Sequence, residues 1–238
     1  MKFTEIKQKA NPGLGIHDNN KKVCPGFSYS DSISWITNQP ERYEFFAKTL
    51  IDNFPKAKTW LELGCGPGCL SYYIKEHGDN INYVTLDINK DAPQQSKYID
   101  NDNHFLCFTD REYQIQSNNE DVKFDMIISY EHFEHIPPAN LSTFLNNIKN
   151  HCHKDTIINC TSSTQETSGE KILDSDEDYR HVSIRGFASH QAVFTREKWK
   201  EILEEHGFEL LENTYLNSNN CPPNFVLPHT IELTFKLK

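Results

Sequence analysis

The stretch Thr59-Trp60-Leu61-Glu62-Leu63-Gly64-Cys65-Gly66-Pro67-Gly68-Cys69-Leu70 decides the fold. An apolar run carrying one acid ends in three alternating glycines, and a new apolar period opens at Leu70. This is the pattern of a buried strand, a tight turn and the first turn of a helix. Glycines there reach φ > 0 and let a ligand approach the backbone with no Cβ in the way. The helix start behind them offers free N–H groups and a partial positive charge. The spacing departs from a dinucleotide fingerprint, because the position that G-x-G-x-x-G requires to be glycine is Cys69. Glu62 at the strand end would also repel a pyrophosphate. An acid suits a cationic, amino-acid-like ligand.

Outward from this turn, a second strand reads Asn82-Tyr83-Val84-Thr85-Leu86-Asp87. Asp87 follows the last glycine by about 20 residues, the position from which an acid takes both ribose hydroxyls in nucleoside-binding α/β folds. A helix N-cap ahead of Ile88 is its other reading. A third strand covers His104 to Asp110, where Asp110 has a turn-capping alternative. A fourth covers Phe124 to Tyr130 and runs into Glu131-His132-Phe133-Glu134-His135.

Glu62 to Gly68, Asp87, Asp110 and Ser129 to His135, in that order, resemble the motifs of the class I S-adenosylmethionine-dependent methyltransferases. The resemblance spans about residues 41 to 238. It implies a Rossmann-like α/β fold with a seven-stranded, mainly parallel sheet and an antiparallel C-terminal hairpin. It also implies helices on both faces and an N-terminal helical extension. S-adenosylmethionine is the cofactor it implies, with Glu62, Gly64, Cys65, Gly66, Gly68, Asp87, Ile88, Asp110, Ser129 and Tyr130 in the cofactor site. The residues just beyond the fourth strand would line the methyl-transfer site. His132 stands where the family usually has an apolar residue, and an imidazole suits a general base near neutral pH. His132 is therefore the first candidate catalytic residue, with Glu131 and His190 behind it and His181 weaker. A structural role for His132 stays open beside this, and Glu134-His135 reads first as a structural pair behind the site.

The remaining chain sets the boundaries. Residues 1–40 read as a polar arm or cap, with Asn11-Pro12-Gly13 and Cys24-Pro25-Gly26 as turn signals. Phe27, Tyr29 and Trp35 are candidates to cover the substrate. An amphipathic helix follows Pro40, with Tyr43, Phe46, Ala47, Leu50, Ile51 and Phe54 on its stripe. The polar stretch after Asp110, through Ser117 to Asp121, reads as a surface loop, Leu141 to His153 as a helix, and Thr156 to Thr161 as the fifth strand. Residues 162–193 form no regular pattern and read as a lid over the strand ends. Its Arg180 and Arg185 hint at an anionic group on the substrate. Its acidic cluster (Asp174, Asp176, Glu177, Asp178) lacks the glycine and distal glutamate of a calcium loop, so no metal site is expected. Thr195 is the N-cap of a helix ending at Gly207, and strands at Phe208–Tyr215 and Thr230–Leu237 close the sheet.

Composition narrows the function. A net charge of −10 opposes nucleic-acid and anionic-membrane partners. There is no D-P-P-Y or N-P-P-Y for a base amine, and Glu131 and Glu134 stand too close for the paired-glutamate loop of protein arginine methyltransferases. A small-molecule acceptor, methylated on oxygen or nitrogen, is the expectation. A protein or peptide methyltransferase and a non-catalytic S-adenosylmethionine-binding module stay open beside it. Seven scattered cysteines without C-x-x-C, and no apolar run long enough to span a bilayer, point to reduced thiols and a cytoplasmic protein.

Overall fold

A computed structural model describes residues 5–8, 38–88, 96–100, 102–164, 192–216, 221–222, 225 and 230–238. Its strands are β1 (Glu5–Gln8), β2 (Thr59–Leu63), β3 (Asn82–Asp87), β4 (His104–Leu106), β5 (Tyr113–Ser117), β6 (Glu120–Asp121), β7 (Phe124–Tyr130), β8 (Cys152–Ser163), β9 (Phe208–Leu211) and β10 (Thr230–Leu237). The α-helices are α1 (Pro40–Asn53), α2 (Cys69–His77), α3 (Leu141–Asn150) and α4 (Arg196–Glu205).

Each helix starts and stops for a local reason. α1 has Pro40 in its first turn, where the missing N–H costs nothing, and it buries Phe46, Ala47 and Leu50. Gly68 leads into α2 at φ 76°, and Lys75 and His77 sit in its last turn, the favourable end for cations. α3 buries Leu141, Phe144, Leu145 and Ile148, a continuous stripe at helical spacing. The Thr195 hydroxyl accepts from Lys198 N–H at 3.2 Å and caps α4 as expected. Gly207, at φ 84°, ends that helix.

The main sheet has seven strands in the order β4-β3-β2-β7-β8-β10-β9. The first five run parallel, and β10 is antiparallel to both β8 and β9. Alternation along β2 sends Trp60 to one face and Leu61 and Leu63 to the other. Trp60 joins Phe46, Leu50, Leu70 and Ile74 beneath α1 and α2. Leu61 and Leu63 join Phe144, Ile148, Trp199 and Leu203 beneath α3 and α4. The expected Rossmann-like architecture is therefore present, with helices on both faces. Strand order reverses between β2 and β7, and in open α/β sheets ligands bind beyond the carboxyl ends at such a switch point.

Several boundaries differ from the sequence reading. The stretch expected as a surface loop instead carries β5 and β6, which form a three-stranded antiparallel sheet with β1. Ile6 pairs opposite the fully buried Ile115, so the start of the polar arm contributes a strand. Ser162 and Ser163, placed at the start of the lid, belong to β8 and pair with Ile231 and Thr230. The third strand stops at Leu106, leaving Asp110 in the turn beyond it. α3 stops at Asn150, because His151 turns the chain into β8. β9 stops at Leu211, where its pairing with β10 ends at Thr234.

Candidate active site

The glycine turn is fixed by backbone bonds. Gly64 and Cys65 N–H both donate to Leu86 O, at 2.8 and 3.1 Å, and Gly68 N–H donates to Cys65 O at 2.9 Å. Gly64, Gly66 and Gly68 have φ of 67°, 52° and 76°, a region that side chains with a Cβ rarely occupy. The Asp87 carboxylate accepts from Gly66 N–H at 2.8 Å, tying the end of β3 to the turn after β2. Ile88 follows at 38% exposure. The Cys65 thiol lies 3.5 Å from His104 Nδ1, which is also 3.0 Å from Thr85 Oγ1. Burial, then the charges of Asp87 and Glu62, push that thiol far up. It is not a thiolate nucleophile.

Glu62 is 6% exposed, and its Oε2 has no hydrogen-bond partner among the described residues. Burial pushes its pKa up to about 8; Ser71 opposes the rise and Asp87 adds to it. A buried carboxyl in this state calls for a cation or a strong donor. α1 lies close by. The Tyr43 phenol is pushed up, first by burial; Arg42 opposes this, and Cys69, Glu131 and Glu62 add to it. Tyr43 thus places the first turn of α1 beside both carboxyls. The Arg42 guanidinium stacks 5.2 Å from the Phe46 ring centroid, and Phe46 lies 5.7 Å from Tyr130.

Beyond β7 the chain turns sharply. Ser129 is fully buried, with Oγ donating to Leu63 O at 3.0 Å, and Tyr130 OH donates to Asn159 Oδ1 at 2.7 Å. Glu131 has φ 50°. His132 lies directly over Gly64: a Cβ on that glycine would sit 2.3 Å from His132 Cγ. His132 Nε2 is 2.8 Å from Thr109 Oγ1. Next to Thr109, Asp110 accepts from Asn140 Nδ2 at 2.9 Å. The described part of the site thus gathers the ends of β2, β3 and β7 and the turn after β4. His190, Arg180, Arg185, His181, Phe27, Tyr29 and Trp35 lie outside the described residues.

Sequence reasoning passed over the groups that hold these side chains. Thr109 positions His132, and Asn140 positions Asp110. Asn147 donates to Thr109 O at 3.0 Å and to Arg111 O at 2.6 Å, fixing that turn from α3. Their one signal is an asparagine facing inward from a helix otherwise lined with apolar residues.

A family model described as a methyltransferase domain matches residues 37–213, so the chain belongs to that methyltransferase family. S-adenosylmethionine is its cofactor. Among solved structures, an S-adenosylmethionine-dependent methyltransferase from Clostridium acetobutylicum superposes with a TM-score of 0.61 at 13% identity, covering 88% of this chain and 99% of that one. The 1,6-didemethyltoxoflavin-N1-methyltransferase of Burkholderia thailandensis, solved with 1,6-didemethyltoxoflavin and S-adenosylhomocysteine, gives 0.60 at 14% identity over 98% and 95%. The plantazolicin methyltransferase BamL, solved with a desmethylplantazolicin analogue and S-adenosylhomocysteine, gives 0.59 at 16% identity over 88% and 89%. No curated protein matches the chain in sequence. No described helix is long and apolar enough to cross a membrane.

Proposed function

We propose that the protein methylates a hydroxyl or amine of a small molecule, with the cofactor across the ends of β2 and β3 and the acceptor at the end of β7. When bound, S-adenosylmethionine supplies a sulfonium methyl with a good leaving group. The fit to this chain rests on the unpartnered Oε2 of Glu62 beside the three-glycine turn. Glu62 would take the amino group of the methionyl end. Asp87 would take the ribose hydroxyls and Asp110 the adenine amino group, with Ile88 covering the ring. Gly64, Cys65, Gly66, Gly68, Ser129 and Tyr130 would shape the cradle.

The acceptor side carries the finer reading. Phe46 of α1 packs 5.7 Å from Tyr130, and the Tyr43 phenol feels the Glu131 charge, which favours an acceptor small enough to sit beneath a helix. The toxoflavin enzyme is named for N1-methylation of 1,6-didemethyltoxoflavin, which agrees with a small-molecule acceptor. His132 would take the acceptor's proton, and Thr109 would hold its ring. Alignment of the nucleophile and exclusion of water supply most of the rate.

Transfer of labelled methyl groups from S-adenosylmethionine into a metabolite extract tests the class. Labelled small molecules are expected; label confined to basic peptides would replace the reading with a peptide methyltransferase. Binding of the cofactor without any transfer would leave only a binding module. His132→Ala is expected to lower turnover about 100-fold and to abolish a neutral inflection in its pH profile. Unchanged turnover across neutral pH would remove His132 as base.

A further inference from the structure

Two glutamates follow β7 three residues apart, and they are held very differently. Apart from three asparagines, Glu131 is the one non-glycine residue with positive φ among the described residues. Asparagine tolerates that region; a glutamate there stores strain that its surroundings must hold. They do so: Glu131 N–H donates to Thr161 O at 3.1 Å and lies 3.2 Å from Thr161 Oγ1. Thr230 Oγ1 donates to Glu131 Oε1 at 3.2 Å. The strained backbone thus aims one carboxylate at the end of β7.

Glu134 lies behind it with no exposure at all. Its Oε1 accepts from Ser163 Oγ at 3.5 Å, and its backbone carbonyl accepts from Ala192 N–H at 3.0 Å. Oε2 has no partner among the described residues; Glu131 acts on the Glu134 acid as a like charge and as a hydrogen-bonding group, while the Glu134 N–H and Ser162 oppose it. Like charges disfavour ionisation of the buried Glu134, and a proton on Glu134 shared with Glu131 would satisfy the unpartnered oxygen. Burial, then Glu131, hold the Glu134 acid far above its ordinary range, which agrees with that arrangement. Two further titratable groups feel the pair: Tyr43 from α1 feels Glu131, and Cys160 from β8 feels both carboxyls. Glu232 of β10 and Arg196 of α4 also act on Cys160.

We propose that Glu134 donates its carboxyl proton to Glu131, and that Glu131, so held, is the acceptor-binding carboxylate, selecting a substrate that presents an amine or hydroxyl hydrogen. Glu131 is then a substrate-binding residue and Glu134 a positioning residue. The selection is against anionic acceptors, because their charge would face a fixed carboxylate. This rests on the reading that the acceptor enters at the end of β7.

The test is carbon-13 NMR of the full chain labelled at glutamate carboxyls, beside calorimetry with S-adenosylmethionine. A neutral carboxyl resonance at pH 7 is expected that disappears in Glu134→Gln and titrates at least one pH unit lower in Glu131→Gln. A Glu134 resonance that titrates in the ordinary carboxylate range, or one unmoved in Glu131→Gln, overturns the shared proton. So does a divalent metal ion at unit stoichiometry in the purified protein. In labelled-methyl assays on metabolite extracts, the cationic and neutral fractions should take the label; label in the anionic fraction alone overturns the selection. Glu131→Gln should raise the half-saturating acceptor concentration about 10- to 100-fold. An unchanged half-saturation overturns the binding role. Glu134→Gln, which keeps a donor, should retain binding that Glu134→Met loses; equal binding by both overturns the positioning role. Intact cofactor binding with a failed pair sinks only this proposal, whereas loss of cofactor binding by the wild-type chain sinks the site reading itself.

Discussion

The two ends of the main sheet are built on opposite terms. At the amino end, charged groups are fully engaged. Asp125 accepts from Lys58 N–H at 2.7 Å, from Thr59 N–H at 2.9 Å and from the Thr59 hydroxyl at 3.0 Å, with His153 Nε2 at 3.0 Å. Burial pushes its acid up, but these bonds outweigh that and hold it below its ordinary value. His151, fully buried nearby, uses both nitrogens: Nδ1 is 2.7 Å from Asn147 O, and Nε2 accepts from Ile115 N–H at 3.1 Å. Its neutral tautomer joins α3 to the small sheet, and burial pushes its pKa down to about 4.

At the carboxyl end the reverse holds. Among the described residues, the buried carboxyls with an unpartnered oxygen, Glu62 and Glu134, both lie there. So do three positive-φ glycines and the positive-φ Glu131. Buried carboxyls left unsatisfied, and strained backbone beside them, persist where a ligand completes them. The amino end stabilises the fold, and the carboxyl end holds chemistry in reserve.

Substitutions at each end can break that contrast. Gly64→Ala should have the largest effect, because a Cβ there meets the His132 ring in a left-handed backbone. Strain and overpacking together should cost about 3 kcal/mol and abolish cofactor binding; thermal melts and calorimetry check both. Asp125→Ala should cost about 2 kcal/mol by removing the acceptor for two backbone N–H groups, yet leave cofactor affinity within threefold. A large affinity loss there would erase the distinction between the ends.

Glu62→Gln sharpens the contrast through its sign. The Glu62 pKa is raised to about 8 by burial, so the unfolded chain ionises this group before the folded one does. Its contribution is fully present at low pH and is lost as pH rises from about 4.3 toward 8. The glutamine variant should therefore gain about 2 kcal/mol at pH 7 without cofactor, while affinity for S-adenosylmethionine falls about 10- to 100-fold. Denaturant melts at pH 5 and pH 8 would show the gain growing with pH. Thr195→Ala, at a conventional helix cap remote from the turn, should cost only about 1 kcal/mol and leave binding unchanged.

What could be read in the sequence follows the same division. The cofactor end announces itself because its instructions are backbone instructions: glycines at φ > 0, an acid closing β2, another closing β3. Such features occupy fixed positions in a short stretch. The order of strands was also legible, because apolar runs alternate with helical periods. The β1–β5 pairing was not, since Glu5 to Gln8 is polar and its partner lies more than a hundred residues away. Nor was the shared environment of Glu131 and Glu134, whose partners Thr161, Ser163 and Thr230 come from two strands that meet only in the folded sheet. Thr109 and Asn140 carry no local pattern at all, and Asn147 only its place on the apolar face of α3. The acceptor end is a product of long-range register.

The central claim is that the unsatisfied Glu62 carboxyl beside the glycine turn is completed by the cofactor's ammonium. Calorimetry of the full chain with S-adenosylmethionine at pH 7, in two buffers of different ionisation enthalpy, measures this directly. Binding should release close to one proton, since Glu62 titrates near pH 8 when the site holds no cation. The release should vanish in Glu62→Gln. Binding without proton release, or the same release from the glutamine variant, would contradict the account.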